Sequence, residues 1–123
     1  MGAGIRRADE AGEYWFEEGC FVTEVSNHPG DPGLSVARIR VPPGTSTRRH
    51  CLEDTWERYL IVEGEGEVEV GGLEPTRVSV GDVVCIPPGT PQRIRCSDSG
   101  ELVFYALCSP RFTPACYRDL EED

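Results

Sequence analysis

"RRHCLEDTWERYLIVEGEGEVEVGG", residues 48–72, decides how the rest of the chain is read. "WERYLIV" (56–62) and "EVEV" (67–70) put apolar side chains at alternate positions, the period of a half-buried strand. The intervening "EGEG" supplies the turn residues of a hairpin. Upstream, "STRRHCL" (46–52) reads as another strand. Residues two apart on a strand share a face, so His50 goes with Leu52 while Cys51 points away. By the same parity Glu57, Tyr59 and Ile61 lie together. If both faces point inward, a histidine, a carboxylate and a phenol share one interior.

The rhythm extends outward on both sides. "CFVTEVS" (20–26), "LSVARIRV" (34–41), "TRVSV" (76–80), "DVVCI" (82–86), "PQRIRC" (91–96) and "ELVFYAL" (101–107) are short runs parted by turn residues. No window sustains a helical period. The expected fold is all-β, a small barrel or sandwich with little helix, spanning 20–108. Residues 1–19 hold the cluster Tyr14, Trp15 and Phe16, which needs cover from the barrel or from a partner. Residues 109–123 are broken by Pro110 and Pro114 and read as a tail, packed outside through Phe112 and Tyr117 before fraying.

Length and charge narrow the function. The 123 residues make one domain, large enough for a single core. Asp and Glu total 22 against 12 basic residues, a formal net charge of −10. Such a chain is repelled by nucleic acid and by anionic membranes. No run approaches the ~20 apolar residues of a membrane-spanning helix. The opening "MGAGIRRADEAGEYW" has no apolar run for export, and Arg6 stands where myristoylation needs Ser or Thr. A cytoplasmic protein is expected. The six cysteines form no C-x-x-C pair and read as reduced thiols, mostly small core residues.

Two stretches resemble the paired motifs of the cupins. In "GTSTRRHCLEDTWERYLIVEG", Gly44, His50, Glu57 and Gly64 are in register with the first motif. In "GDVVCIPPGTPQ", Gly81, Pro87 and Gly89 match the second. The resemblance covers Gly44 to Gln92 and implies a double-stranded β-helix, or jelly-roll, barrel. It also implies a metal site, from which this chain departs. Leu52 occupies the second histidine position of the first motif, and Gln92 occupies the histidine position of the second. His50, Glu57 and Gln92 remain as a candidate N/O/O set for a divalent ion (Zn, Ni, Mn or Fe) with positions open to water. The alternative is a metal-free polar network in which His50, Glu57, Tyr59 and Gln92 satisfy one another.

Glu57 and Tyr59 are the candidate proton-transfer residues. Leu52 and Ile94 would line the ligand pocket. Arg38 and Arg40 share a strand face; inward they would clamp a substrate carboxylate, outward they would pair with surface acids. His28 reads as a solvated loop residue, and the acids of "EGEGEVE" (63–69) as a hairpin tip. No G-x-S-x-G elbow, phosphate loop or dinucleotide fingerprint occurs. The expectation is an isomerase, lyase or dehydratase acting on a small polar ligand, with oxygenation less favoured. The alternatives are a ligand-binding module without catalysis and a purely structural subunit. A homodimer is expected, with Leu60 and Val62 pointing outward beside the aromatic N-terminal segment.

Overall fold

The computed structural model describes residues 2–121, and strands dominate it. In chain order they are β1 (Glu13–Phe16), β2 (Cys20–Ser26), β3 (Ser35–Val41), β4 (His50–Leu52), β5 (Trp56–Glu63), β6 (Glu65–Val70), β7 (Thr76–Ser79), β8 (Val83–Ile86), β9 (Gln92–Cys96), β10 (Leu102–Ser109) and β11 (Tyr117–Asp119). Two 3₁₀ turns, Ala8–Glu10 and Pro114–Cys116, are the only helical pieces among the described residues. One sheet has six strands in the order β1-β2-β3-β10-β5-β8; the other has five, β11-β4-β9-β6-β7. Their inner faces enclose a core built around Phe104, Ile61, Ile86, Ile94 and Leu102.

Alternation explains which residues go inside. Along β5, Glu57, Tyr59 and Ile61 are buried while Arg58 and Leu60 are half-buried and Val62 is exposed. On β9, Gln92, Ile94 and Cys96 face in. The turn after β5 contracts to Gly64, whose φ of 76° favours a residue without a β-carbon. A Cβ there would also overlap the Glu101 carbonyl oxygen.

Three local differences from the sequence reading have physical causes. The strand expected over 46–52 survives only at His50–Leu52, with Ser46 forming an isolated bridge to Arg95. Arg48 N–H is drawn to the Glu18 carbonyl at 2.6 Å, and the His50 ring takes the Arg48 carbonyl, so the ladder stops there. The aromatic N-terminal segment becomes β1, paired antiparallel with β2. The tail contributes β11, which pairs with β4 and places Tyr117 beside Leu52 and Asp119 beside His50. Its last two residues, where fraying was expected, lie outside the described residues, as does Met1.

All six cysteines are free, four of them buried. Among the described residues no helix is long and apolar enough to cross a membrane.

Candidate functional site

His50, Glu57, Tyr59 and Gln92 converge. His50 and Gln92 are direct cross-strand partners on β4 and β9, and β5 brings Glu57 and Tyr59 to the same interior. Exposure is 1% for His50 and Gln92, 3% for Tyr59 and 8% for Glu57. A buried amide must satisfy both its ends. Here the Gln92 amide nitrogen donates to Glu57 Oε1 at 2.9 Å, and its oxygen accepts from the Tyr59 hydroxyl. The Cys108 thiol stands 3.7 Å from Glu57 Oε2.

The turn between β1 and β2 adds a residue that spacing did not reveal. Glu18 Oε1 lies 2.8 Å from His50 Nε2. The other ring nitrogen, Nδ1, is 2.7 Å from the Arg48 carbonyl, which can only accept, so Nδ1 carries a proton. Cys20 donates its thiol to Glu18 Oε2 at 3.2 Å. Tyr117 stacks on the His50 ring with centroids 5.2 Å apart.

This arrangement sets the charges. Burial by itself would discharge His50, but the Glu18 hydrogen bond and charge, helped by the Arg48 carbonyl and Glu57, raise its pKa. The Glu18 carboxylate against Nε2 thus favours the charged form of the ring. Burial pushes the Glu57 carboxyl up, and repulsion from Glu18 adds to this. Gln92, His50 and Cys108 pull back, leaving Glu57 at about 7. Burial, with Glu57 and Glu18 nearby, raises the Tyr59 hydroxyl, so it stays a donor.

His50 and Glu57 open on a cavity of about 610 Å³, which Glu18, Leu52 and Cys108 also line. That volume suits a small metabolite. Arg111 and Tyr117 from the C-terminal segment complete the wall. Tyr59 and Gln92 stand behind Glu57 rather than on the cavity surface. Of the expected pocket residues, Leu52 is in place but Ile94 is not: it is sealed in the core at 0% exposure.

Arg38 and Arg40 require a correction. Ile39 and Val41 take the inward positions of β3, which sends both guanidinium groups to the outer face. There Arg40 lies over the Phe21 ring and bonds Glu13 at 2.6 Å, while Arg38 Nη1 is 4.0 Å from Glu13. Neither can clamp a substrate inside the barrel. His28 is an exposed-loop residue whose Nδ1 accepts from Gly30 N–H.

The expected metal set also needs revision. A divalent ion requires donors with free lone pairs. The Gln92 oxygen already accepts from Tyr59, both His50 nitrogens are engaged, and Glu57 accepts from Gln92 with Cys108 at its other oxygen. Among the described residues no three His, Cys, Asp or Glu side chains are grouped to hold an ion. Nor is a buried side-chain polar atom among them without a partner. Gln92 is thus bonded to Glu57 and Tyr59 while His50 is held by Glu18 and the Arg48 carbonyl, and as folded the three do not fit a metal.

Comparison with known proteins places these features in context. The sequence model of a cupin domain matches residues 37–108. MJ1618, an uncharacterized protein of Methanocaldococcus jannaschii, is 30% identical over 115 residues, which is 92% of this chain and 89% of the relative. KdgF from Halomonas sp. superposes with a TM-score of 0.77 at 25% identity, covering 89% of this chain and 96% of its own. Pac13, a nucleoside dehydratase, gives a TM-score of 0.81 at 18% identity, over 98% of this chain and 92% of its own. At that identity the likeness speaks for the fold alone.

Proposed function

The chain belongs to the cupin family, and within it we propose an acid–base enzyme of the isomerase, lyase or dehydratase kind, acting on a small polar metabolite. One observation carries this reading: the His50 imidazole, held by Glu18, and the buried Glu57 carboxyl, which burial pushes up to about 7, open on the same cavity. A proton-transfer group works best when its pKa lies near the working pH. Glu57 is poised to accept a proton from a C–H bond next to a carbonyl. His50 is poised to donate one to the oxygen that gains charge.

In an elimination, the C–H proton passes to Glu57 and the electron pair forms the new double bond. The His50 Nε2 proton leaves its hydrogen bond to Glu18 for the departing hydroxide, which is released as water. Transfer of the proton from Glu57 to His50, directly or through solvent, restores the starting state. In an isomerisation the same proton returns at a neighbouring atom. Glu18 holds the imidazole ring and favours its charged form. The Tyr59–Gln92 chain fixes the orientation of the Glu57 carboxyl. Pac13, a nucleoside dehydratase with a barrel of similar shape, supports the dehydratase reading.

The test is solvent exchange. Full-length protein in D₂O, with a panel of nucleosides, hydroxy acids and keto sugars, should catalyse C–H to C–D exchange or loss of water for at least one member. The rate should follow a bell-shaped pH profile and survive a chelator. Saturable binding of a panel member with neither exchange nor elimination would leave a binding protein and overturn the enzyme reading.

The molecule is proposed to work as a homodimer in the cytoplasm, where its thiols stay reduced. The outer face of β5 and β8 supports the dimer: Trp56, Val62 and Val83 are exposed there, and Leu60 pairs with Val83. Exposed apolar side chains on a sheet face favour self-association. Light scattering should give about twice the 13.6 kDa chain mass. A monomer at micromolar concentration would refute the pairing.

A further inference from the structure

In a chain of net charge −10, an arginine usually finds a carboxylate. Arg40, Arg48, Arg77, Arg93, Arg95 and Arg118 each do. Arg111 differs. It lines the barrel cavity, and its Nη1 donates at 2.8 Å to the neutral amide oxygen of Asn27. The other face of Asn27 is tied to the Phe112 carbonyl at 2.9 Å and to Glu24 at 3.3 Å. The Arg111 backbone is pinned as well, its N–H donating to the Pro32 carbonyl at 3.0 Å, while Phe112 N–H holds Ser35 Oγ at 2.9 Å. The guanidinium is thus positioned without a direct ion pair to a carboxylate among the described residues.

A fixed cation whose supporting contact is a neutral amide keeps donors for an anion, and the guanidinium fork matches planar or tetrahedral oxyanions. The carboxylates of the cavity each have a partner of their own, Glu24 accepting from the Asn27 amide at 3.3 Å. Glu18 is paired with His50, and Glu57 is turned toward Gln92. We propose that Arg111 docks an anionic group, a carboxylate or a phosphate, on the molecule that occupies the cavity. This rests on the reading of the cavity as the substrate site and narrows the substrate to an anion. Anchored at Arg111, the rest of the ligand extends along the wall that carries His50 and Glu57.

The experiment compares probes that differ in charge but hardly in shape. Calorimetry on the full chain would measure sorbitol, gluconate and sorbitol phosphate. At least one anion should bind about tenfold or more tightly than sorbitol. Preference for gluconate identifies a carboxylate ligand, and preference for sorbitol phosphate a phosphate. Arg111→Gln should erase the preference, so that the anions bind no more tightly than sorbitol does to the same variant. Arg111→Lys, which keeps charge but loses the fork, should retain part of it. Equal binding of the neutral and anionic probes, or an unchanged preference in Arg111→Gln, overturns the proposal. Because the readout is binding, failure of the exchange experiment leaves the anchor standing. Loss of the charge preference likewise leaves the proton chemistry standing.

Discussion

Glu57→Gln is expected to be more stable than the wild type above neutral pH and catalytically inert. The Glu57 carboxyl is raised from 4.5 to about 7, chiefly by burial and then by Glu18. For an acid with a raised folded-state pKa, the native state holds the proton that the unfolded chain releases. The stabilising contribution is complete below pH 4.5 and is lost as pH rises toward 7. Above that range both states are ionised, and the native state carries the full cost of a buried charge. The shift corresponds to about 3 kcal/mol. His50, also raised, contributes in the same direction, its share being lost as pH passes its folded-state value. Glutamine keeps the acceptor for Gln92 but cannot ionise. Chemical denaturation at several pH values should show the two proteins close near pH 4 and the variant ahead by about 3 kcal/mol at pH 8, or roughly 10 °C in Tm. Exchange activity should fall by about a hundredfold or more, the contribution of a general acid or base. Parallel stability curves would mean that Glu57 titrates normally, and the acid–base proposal would lose its central group.

The sequence made the scaffold of this site readable but not all of its chemistry. Alternation placed Glu57 with Tyr59 and Ile61, and Gln92 with Ile94 and Cys96, on inward faces, because a half-buried strand leaves a two-residue period. The motif glycines were readable too: Gly44, Gly64, Gly81 and Gly89 all adopt positive φ. Glu18 was not legible, since its role depends on the β1–β2 turn folding against the residues before β4. That contact exists because Arg48 N–H reaches the Glu18 carbonyl, a pairing no local pattern announces. Arg111 and Tyr117 were hidden for a similar reason: they sit in a proline-broken segment whose path is set by tertiary contacts. For Arg38 and Arg40, two charges on one strand face fit either side until Ile39 and Val41 claim the core. Ile94 shows the limit of parity, which gives direction but not depth.

The convergence also predicts how a metal site could be restored. Three conditions are already met: His50 and Gln92 are cross-strand partners, Gln92 touches Glu57, and Leu52 shares the buried β4 segment with His50. What prevents coordination is the use of these donors on one another. Gln92→His removes the amide bridge, releases the Glu57 carboxylate and adds a nitrogen donor. Leu52→His adds another from the side that now carries an apolar chain. Glu18 opposes this by holding His50 Nε2, so zinc must displace it or recruit it as a further oxygen ligand. Imidazoles outcompete an amide for zinc by enough to overcome that competition. The double variant is therefore expected to bind zinc at least a hundredfold more tightly than wild type, about 2.8 kcal/mol. His50→Ala in the double variant should abolish the gain, and Glu18→Gln should increase it by loosening the competing pair. Calorimetry at neutral pH, with circular dichroism to confirm folding, reads each step. A folded double variant with wild-type zinc affinity would show that the side chains face one another without sharing a coordination point. The relation of this pocket to a metal site would then be one of strand register alone.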